Sequence, residues 1–223
     1  MKPLICFDLD NTLVYSEKVH VNSYNYALRK FLHKPQNPEF ITKLLGRPHK
    51  QIVKILTKNA PKNKIKNIMK LHDLILIKKF YHLANSIPGV IKTLKELKKD
   101  FTLAIVSNCS HKNIKAILKG AKIPSTLFSI IIGYDEVKYS KPAPDLIFKA
   151  ERKLKTKAVY MVGDSIYDIK AANKARIKAI AVLTGHYSKA SLIKEKPYIT
   201  LKSINQLPKF IKKEERCRNT LIL

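Results

Sequence analysis

The spacing of hydrophobic residues along the chain changes near residue 84. Between residues 15 and 83, apolar residues recur three and four positions apart, which is the spacing of one face of a helix. After the turn at Pro88 and Gly89, short apolar runs alternate with amphipathic stretches. Another short apolar run, LICF at residues 4–7, precedes the helical region. The pattern therefore predicts one early strand, a long helical stretch, and then alternating strands and helices.

The predicted strands are short and apolar. They cover residues 4–7, 101–107, 128–133, 158–163, 178–183 and 198–201. The predicted helices cover residues 16–32, 38–45, 48–59, 61–85, 90–99, 112–121, 143–154, 168–175 and 204–213. Apolar strands that alternate with helices are typical of a parallel sheet covered on both faces. The predicted fold class is α/β, with a Rossmann-like parallel sheet, helices on both faces and an inserted α-helical cap.

The same change of pattern predicts the domain organisation. Residues 15–83 contain no strand that could extend the sheet, so we expect them to form the cap. Residues 1–14 and 84–213 then form the α/β core, and residues 214–223 a C-terminal tail.

Composition limits the class of protein. The chain of 223 residues is 45% hydrophobic, which is enough for a core, and no stretch approaches the length of a membrane span. Its first residues do not have the pattern of a signal peptide, since few apolar residues separate Lys2 from Asp8. The three cysteines, Cys6, Cys109 and Cys217, are an odd number without metal-ligand spacing. We expect a reducing, cytoplasmic location and no contact with a membrane.

The net charge of +28 raises the alternative of a nucleic-acid-binding protein. The 38 lysines far outnumber the 6 arginines, however, and they are spread along the whole chain. Base recognition and phosphate clamping favour arginine, and no basic stretch is interleaved with aromatic residues. We therefore expect no specific nucleic-acid site, although the positive field should attract anionic substrates.

Aspartates collect where predicted strands end. Asp8 and Asp10 follow the first strand, and Asp164 and Asp168 follow the strand at 158–163, so these two places hold four of the eight aspartates. Ligands of a parallel α/β sheet bind beyond the carboxyl ends of its strands. Because two neighbouring carboxylates repel each other and are costly to bury, the cluster indicates that a cation lies between them.

The motifs at these strand ends resemble those of a known family. DLDNT at 8–12, VSN at 106–108, SKPAPD at 140–145 and GDSIYD at 163–168 occur in the order found in haloacid dehalogenase-like hydrolases. Each motif alone is a weak signal, but four in order are a strong one. The resemblance is closest to the phosphoglycolate phosphatase-like branch with a helical cap, and it covers residues 4 to about 210.

The resemblance implies a role for each of these residues. Asp8 corresponds to the nucleophile that forms an aspartyl-phosphate, and Asp10 to the general acid and base. The Asp8 carboxylate, the Asp10 backbone carbonyl and Asp164 correspond to the ligands of Mg²⁺. Ser107 and Asn108 correspond to the phosphate-binding corner, and Lys141 to the cation that neutralises phosphoryl oxygens.

Three residues have weaker assignments. Asp168 is expected to hold Lys141 or a metal-bound water, although a carboxylate that only favours the helix N-terminus is an open alternative. Arg47, in the LLGRPHK turn that resembles the family's cap specificity loop, is the predicted substrate contact, with a plain exposed arginine as the alternative. Arg176 stands where relatives commonly place glycine near a helix end, which predicts a strained left-handed turn.

Together these features predict a Mg²⁺-dependent phosphatase that acts on a small phosphorylated metabolite such as phosphoglycolate, as a monomer or homodimer. Dehalogenating relatives lack the second aspartate, so Asp10 argues for phosphoryl transfer. A nucleotidase, a pyrophosphatase and a β-phosphoglucomutase-type phosphomutase use the same motifs and remain alternatives.

Overall fold

The computed structural model describes residues 2–58 and 60–220. Residue 59, the last of the predicted third helix, and residues 221–223 of the predicted tail lie outside them. The strands are β1 Leu4–Phe7, β2 Val14–Tyr15, β3 Asn85–Ser86, β4 Thr102–Val106, β5 Ile130–Ile132, β6 Ala158–Gly163, β7 Lys178–Val182 and β8 Ile199–Leu201. The α-helices are α1 Glu17–Leu32, α2 Pro38–Thr42, α3 His49–Leu56, α4 Lys62–Ile75, α5 Val90–Leu97, α6 His111–Gly120, α7 Asp145–Leu154, α8 Ile166–Ala175, α9 Lys189–Lys194 and α10 Leu207–Thr220.

Six strands form one sheet in the order β5-β4-β1-β6-β7-β8, and each adjacent pair is parallel. Side chains of β1 alternate between two buried clusters: Ile5 and Phe7 lie in one, and Leu4 and Cys6 in the other. This alternation explains why the strand is apolar at every position, because both faces of the sheet are covered. The predicted fold class, an α/β protein with a parallel sheet between helices, is confirmed.

Helices cover the two faces of the sheet. The apolar sides of α5, α6 and α10 contribute to the cluster that contains Phe7, and those of α7 and α8 contribute to the cluster that contains Cys6. The carboxyl ends of β1, β4 and β6 therefore lie side by side at one edge, where the loops that follow them meet.

Residues 17–75 form a third buried cluster from their own helices, which includes Tyr24, Leu28, Ile41, Val53 and Ile68. The antiparallel pair β2 and β3 lies where the chain enters and leaves this helical segment. Both features agree with the boundaries expected for a cap near residues 15 and 83, and the division into core and cap stays a prediction.

Several local predictions differ from the structure. The sequence analysis missed the two-residue strands β2 and β3 and the six-residue helix α9, because elements of this length have too few residues to show a period. The predicted helix at 61–85 is α-helical only to Ile75 and continues as a π-helix over Leu76–Phe80 and a 3₁₀ turn over Tyr81–Leu83. The last helix continues past residue 213 to Thr220.

A partly buried contact explains why the last helix is longer than predicted. The Glu214 carboxylate accepts hydrogen bonds from Tyr160 of β6, Lys178 of β7 and Tyr198, which lies just before β8. Burial alone would raise the pKa of Glu214, but these donors lower it to about 2. The first turns beyond residue 213 are thus anchored to the sheet.

Candidate active site

The candidate site lies at the edge where β1, β4 and β6 end. Asp8 follows β1 directly, and its backbone N–H donates to Val162 O of β6 at 2.9 Å, so the first carboxylate is fixed by the sheet itself. Ser107 follows β4, and Asp164 follows β6. The structure therefore brings together residues that are more than 150 positions apart in sequence.

Lys141 connects two of the carboxylates. It is 2% exposed, and its Nζ donates to Asp8 Oδ1 at 2.5 Å and to Asp168 Oδ1 at 2.6 Å. Burial would lower the pKa of Lys141, but Asp168 and Asp8 raise it above its ordinary value. The ammonium group is thus held charged between two acids.

Asp168 has both of its oxygens engaged by this chain. Oδ1 accepts from Lys141, while Oδ2 accepts from Ser165 Oγ at 2.6 Å and from Ser165 N–H at 3.1 Å in the capping box that begins α8. Both sequence alternatives therefore describe one arrangement, in which Asp168 caps the helix and holds Lys141. A direct role as a metal ligand would require it to give up one of these partners.

Asp8, Asp164 and Asp168 form a compact acidic group, with one oxygen of each within 4.8 Å of the others. Burial and the charge of Asp168 raise the pKa of Asp8 to about 7 although Lys141 opposes the change. Burial and the charges of Asp8 and Asp168 likewise raise the pKa of Asp164 well above its ordinary value, although Asp164 accepts a hydrogen bond from Thr12 Oγ1 at 3.1 Å. One ammonium group does not compensate three buried carboxylates.

Asp10 points to a different set of partners. Its Oδ1 accepts from Ser16 Oγ and lies 3.1 Å from His20 Nε2, and its Oδ2 accepts from the Cys109 thiol at 3.0 Å. Burial alone would raise the pKa of Asp10, but His20, Cys109 and Ser16 lower it to about 2. The two aspartates of the DLD motif therefore have opposite environments.

The phosphate-binding corner is only partly as expected. Ser107 is 1% exposed, and its Oγ accepts from Cys109 N–H at 3.1 Å. The Asn108 side chain donates to Lys141 O at 3.1 Å and to Gly46 O at 3.2 Å. Asn108 therefore ties the loop that carries Lys141 to the turn at Gly46.

Gly46 is required where the helical segment meets the core. Its φ of +87° is in the left-handed region, and a Cβ there would lie 3.1 Å from Ser165 Cβ. This close approach brings the neighbouring Arg47 to the site, where its Nη1 donates to Tyr167 Oη at 3.1 Å. Arg47 is thus a half-buried residue, and its Nε is buried without a partner among the residues that the structure describes.

The site closes over a small cavity of about 30 Å³. Residues from the core line one side of it, and residues from the helical segment line the other, among them His20, Tyr24, Arg47, His49 and His72. This volume is sufficient for a water molecule or a small polar group.

His20 and Cys109, which contact Asp10, and His72, which contacts His20, were not predicted as site residues. His20 and Tyr24 share one face of α1, and Ile68 and His72 share one face of α4, because residues four apart lie on the same side of a helix. The apolar period therefore placed both histidines on buried faces. That signal was available in the sequence, but nothing in it showed that the two helices meet at Asp10.

Comparison with known proteins agrees with this geometry. The family model described as haloacid dehalogenase-like hydrolase matches residues 5–182. A protein named "Probable phosphatase IndB" from Dickeya dadantii is 28% identical over 93% of this chain and 92% of its own length. Phosphoglycolate phosphatase from Aquifex aeolicus is 28% identical over 93% of this chain and 96% of its own length. Pyrophosphatase PpaX from Bacillus mycoides is 25% identical over 91% of this chain and 94% of its own length.

The fold has solved counterparts as well. The structure of a haloacid dehalogenase-like family hydrolase from Streptococcus pneumoniae superimposes with a TM-score of 0.81 at 21% identity, covering 94% of this chain and 98% of that one. Over residues 2–58 and 60–220, no helix combines the length and apolar character needed to cross a membrane. The four motifs lie at the strand ends, the family model matches most of the chain, and relatives that match over nearly their full length are named phosphatases. The chain therefore belongs to the haloacid dehalogenase-like hydrolase family and is an enzyme of its phosphatase type.

Proposed function

We propose that this protein is a Mg²⁺-dependent phosphatase that hydrolyses a small phosphorylated metabolite through an aspartyl-phosphate on Asp8. The observation that carries the proposal is the buried lysine bridge, in which Lys141 Nζ contacts both Asp8 and Asp168 beside Asp164. Burying three carboxylates at this separation costs the fold free energy, whereas a phosphoryl-transfer site can use such a group.

The residues fit a magnesium ion. Asp8 and Asp164 offer oxygen atoms, the donor type that Mg²⁺ prefers. Burial, together with the neighbouring carboxylates, raises the pKa values of both groups, and a bound cation would favour their ionised forms. A Cβ on Gly185 would lie 1.8 Å from Asp164 Oδ2, so a glycine at 185 allows this oxygen its position. Asp8, Asp164 and the backbone carbonyl of Asp10 would hold the ion. Bound there, it would neutralise negative charge on the phosphoryl oxygens.

Asp8 is the proposed nucleophile. Its carboxylate attacks phosphorus, a bond forms between the carboxylate oxygen and phosphorus, and the bond from phosphorus to the leaving oxygen breaks. Lys141 fixes the orientation of this carboxylate through Oδ1 and brings positive charge to the phosphoryl group. Asp168 acts through Lys141, since its contact positions the ammonium group.

Asp10 is the proposed general acid and base. It shares a hydrogen-bonded proton with His20, and this proton passes to the leaving oxygen when the phosphorus–oxygen bond breaks. After this transfer the Asp10 carboxylate is ionised, and it takes a proton from the water that attacks the aspartyl-phosphate. The contacts from Ser16 and Cys109 hold both oxygens in place for the two steps.

Ser107 and Arg47 are proposed to bind different parts of the substrate. Because Ser107 Oγ accepts from Cys109 N–H, its own hydrogen is directed elsewhere and is suited to a phosphoryl oxygen. Arg47 lies across the cavity, on the side of the helical segment, where a guanidinium suits a carboxylate or a second phosphate. The relatives named phosphoglycolate phosphatase and pyrophosphatase suggest these two substrate types first.

A phosphate-release screen tests the proposal. The purified protein is incubated with phosphoglycolate, pyrophosphate, nucleoside monophosphates and sugar phosphates, with Mg²⁺ or with EDTA. We expect release from at least one compound with Mg²⁺, its loss with EDTA, and its return when Mg²⁺ is added in excess. Activity that is indifferent to EDTA would contradict the assignment of the carboxylates.

A further inference from the structure

Asp10, His20 and Cys109 form a second group of possible metal ligands beside the acidic one. His20 is 5% exposed, and the three side chains line the same cavity as Asp8 and Lys141. Their donor atoms are one oxygen, one imidazole nitrogen and one sulfur, all within 4.8 Å of one another. A mixed set with sulfur and imidazole favours zinc and similar thiophilic cations, whereas magnesium prefers oxygen alone.

The distances between these donor atoms match those around a tetrahedral zinc ion. Ordinary zinc bond lengths place oxygen and nitrogen ligands about 3.3 Å apart and put sulfur about 3.5 Å from either of them. In the structure, His20 Nε2 lies 3.1 Å from Asp10 Oδ1 and 3.7 Å from Cys109 Sγ, and Sγ lies 3.0 Å from Asp10 Oδ2. Because the two Asp10 contacts are made by different oxygens, a zinc ion would need the Asp10 carboxylate to turn one oxygen towards both His20 and Cys109.

A row of hydrogen bonds holds His20 in the form that binds a metal. His20 Nδ1 lies 3.3 Å from His72 Nε2, and His72 Nδ1 lies 2.9 Å from Asp73 Oδ1. Asp73 also accepts from Asn113 Nδ2 at 2.7 Å, which keeps it an acceptor, so His72 donates to Asp73 and His20 donates to His72. His20 Nε2 is thus the nitrogen that faces Asp10 and Cys109. In zinc sites a partner of this kind commonly fixes the orientation of the metal-binding histidine, and here His72 is that partner and is itself held by Asp73.

Counting protons along this row shows what a metal ion would replace. Three hydrogen bonds join Asp10, His20, His72 and Asp73, and they need three protons, while two neutral imidazoles carry two. A hydrogen bond between Asp10 and His20 uses the third proton, because the contacts of His20 with His72 and of His72 with Asp73 use the other two. A divalent cation can take its place without disturbing the rest of the row.

We propose that Asp10, His20 and Cys109 form an inhibitory site for a thiophilic divalent cation of the zinc type. When the cation binds, the Cys109 thiol and the Asp10–His20 hydrogen bond each release one proton to solvent, and no electron is transferred. The Asp10 carboxylate is then a metal ligand and can no longer give or take protons. The binding is independent of the proposed function, whereas the inhibition rests on it.

Binding is tested with cadmium, whose thiolate complexes absorb in the ultraviolet. The metal-stripped protein is titrated with Cd²⁺, and Zn²⁺ is then added as a competitor. We expect a thiolate band that saturates at one Cd²⁺ per chain and is abolished by Zn²⁺. Cys109→Ser should lose the band, whereas Cys217→Ser, which replaces an exposed thiol, should keep it.

Inhibition is measured in parallel as p-nitrophenyl phosphate hydrolysis at saturating Mg²⁺. Because Cys109 holds Asp10 in the proposed mechanism, Cys109→Ser is compared with its own activity in the absence of Zn²⁺. It should need at least about 100-fold more Zn²⁺ for half-inhibition, since loss of a ligand costs more than the ~10–100-fold of an outer partner. Asp73→Asn, which weakens a positioning contact, should reduce Cd²⁺ affinity by about 10–100-fold.

Three results would overturn the site: a band that persists in Cys109→Ser, a band lost in Cys217→Ser, or equal Zn²⁺ inhibition of wild type and Cys109→Ser. The last result would place inhibitory zinc among the acidic ligands. A normal cadmium band in a protein without phosphatase activity would instead overturn the proposed function and leave the cation site standing. Thermal stabilisation by Cd²⁺ in wild type, and its absence in a folded Cys109→Ser, provides a second readout of the site.

Discussion

Replacing Asp8 by asparagine should make the protein more stable when no divalent cation is present. Asp8 is 6% exposed, and burial together with Asp168 raises its pKa from 3.8 to about 7. A group whose pKa is raised on folding contributes stability that is fully present below its unfolded value and is lost as the pH rises through its folded value. Wild type should therefore lose stability between pH 4 and pH 8, while Asp8→Asn, which cannot ionise, should lose less.

The structure gives the size of this effect. The rise in the pKa of Asp8 from 3.8 to about 7 corresponds to a loss of about 4 kcal/mol in the free energy of unfolding, since each pKa unit is worth about 1.4 kcal/mol. This is an upper limit, because the asparagine oxygen still accepts from Lys141 and the site relaxes in either form. In a chain of this size, 1 kcal/mol changes the melting temperature by about 2–4 °C, so 4 kcal/mol sets an upper limit of about 8–16 °C on the higher melting temperature of the variant at pH 8.

The assay is urea unfolding in EDTA at pH 5, 6, 7 and 8, with wild type, Asp8→Asn and the exposed control Asp100→Asn. The difference in free energy of unfolding between Asp8→Asn and wild type should grow with pH, and the control should track wild type throughout. Saturating Mg²⁺ should remove the advantage of the variant, because the cation binds the wild-type carboxylate. A difference that does not change with pH, or a variant less stable than wild type at pH 8, would refute the account of Asp8.

Three further variants test other parts of the structure. Arg47→Ala should reduce kcat/KM for the natural anionic substrate by about 10–100-fold and spare p-nitrophenyl phosphate, with exposed Arg29→Ala as the control; an equal loss on both substrates would place Arg47 in the phosphate site or the fold. Glu214→Gln should lower the free energy of unfolding by about 1–2 kcal/mol at pH 7. Because the pKa of Glu214 is lowered on folding, its ionised form stabilises wild type, and acid removes this stabilisation. The difference in free energy of unfolding between wild type and the variant should therefore shrink as the pH falls from 4.5 towards 2. No loss in urea unfolding would mean that the helix beyond residue 213 is not anchored. Arg176→Gly should raise stability by about 1 kcal/mol with unchanged activity, since Arg176 has a φ of 57°; an unchanged melting temperature would show that the left-handed turn carries no strain.

The sequence predicted the sheet because its signals are local. Both ends of strand β6 were predicted correctly, because a six-residue apolar run between a lysine-rich helix and an aspartate indicates a buried strand of that length. The left-handed conformation of Arg176 was also correct, because it follows from the position of one residue at a helix end. The edge that gathers Asp8, Ser107 and Asp164 followed from the rule for parallel sheets.

The contacts around Asp10 could not be predicted in this way. They depend on how α1 and α4 pack against the loop after β4. Hydrophobic spacing shows which face of a helix is buried, but it does not show which residues that face contacts. Glu214 was missed for a related reason. Its partners Tyr160, Lys178 and Tyr198 are 16 to 54 residues away, and nothing local marks a glutamate that will be bound by three donors.

The central claim is that Asp8 carries the phosphoryl group while Asp10 moves the protons. It is tested most directly by mixing Asp10→Asn rapidly with p-nitrophenyl phosphate and Mg²⁺. Because p-nitrophenolate leaves without being protonated, the first step should remain fast while water attack is impaired. We predict a burst of one p-nitrophenolate per active site, with one phosphoryl group located on Asp8 by mass spectrometry after acid quenching. Slow linear release without a burst, and no phosphoryl group on Asp8, would contradict the account.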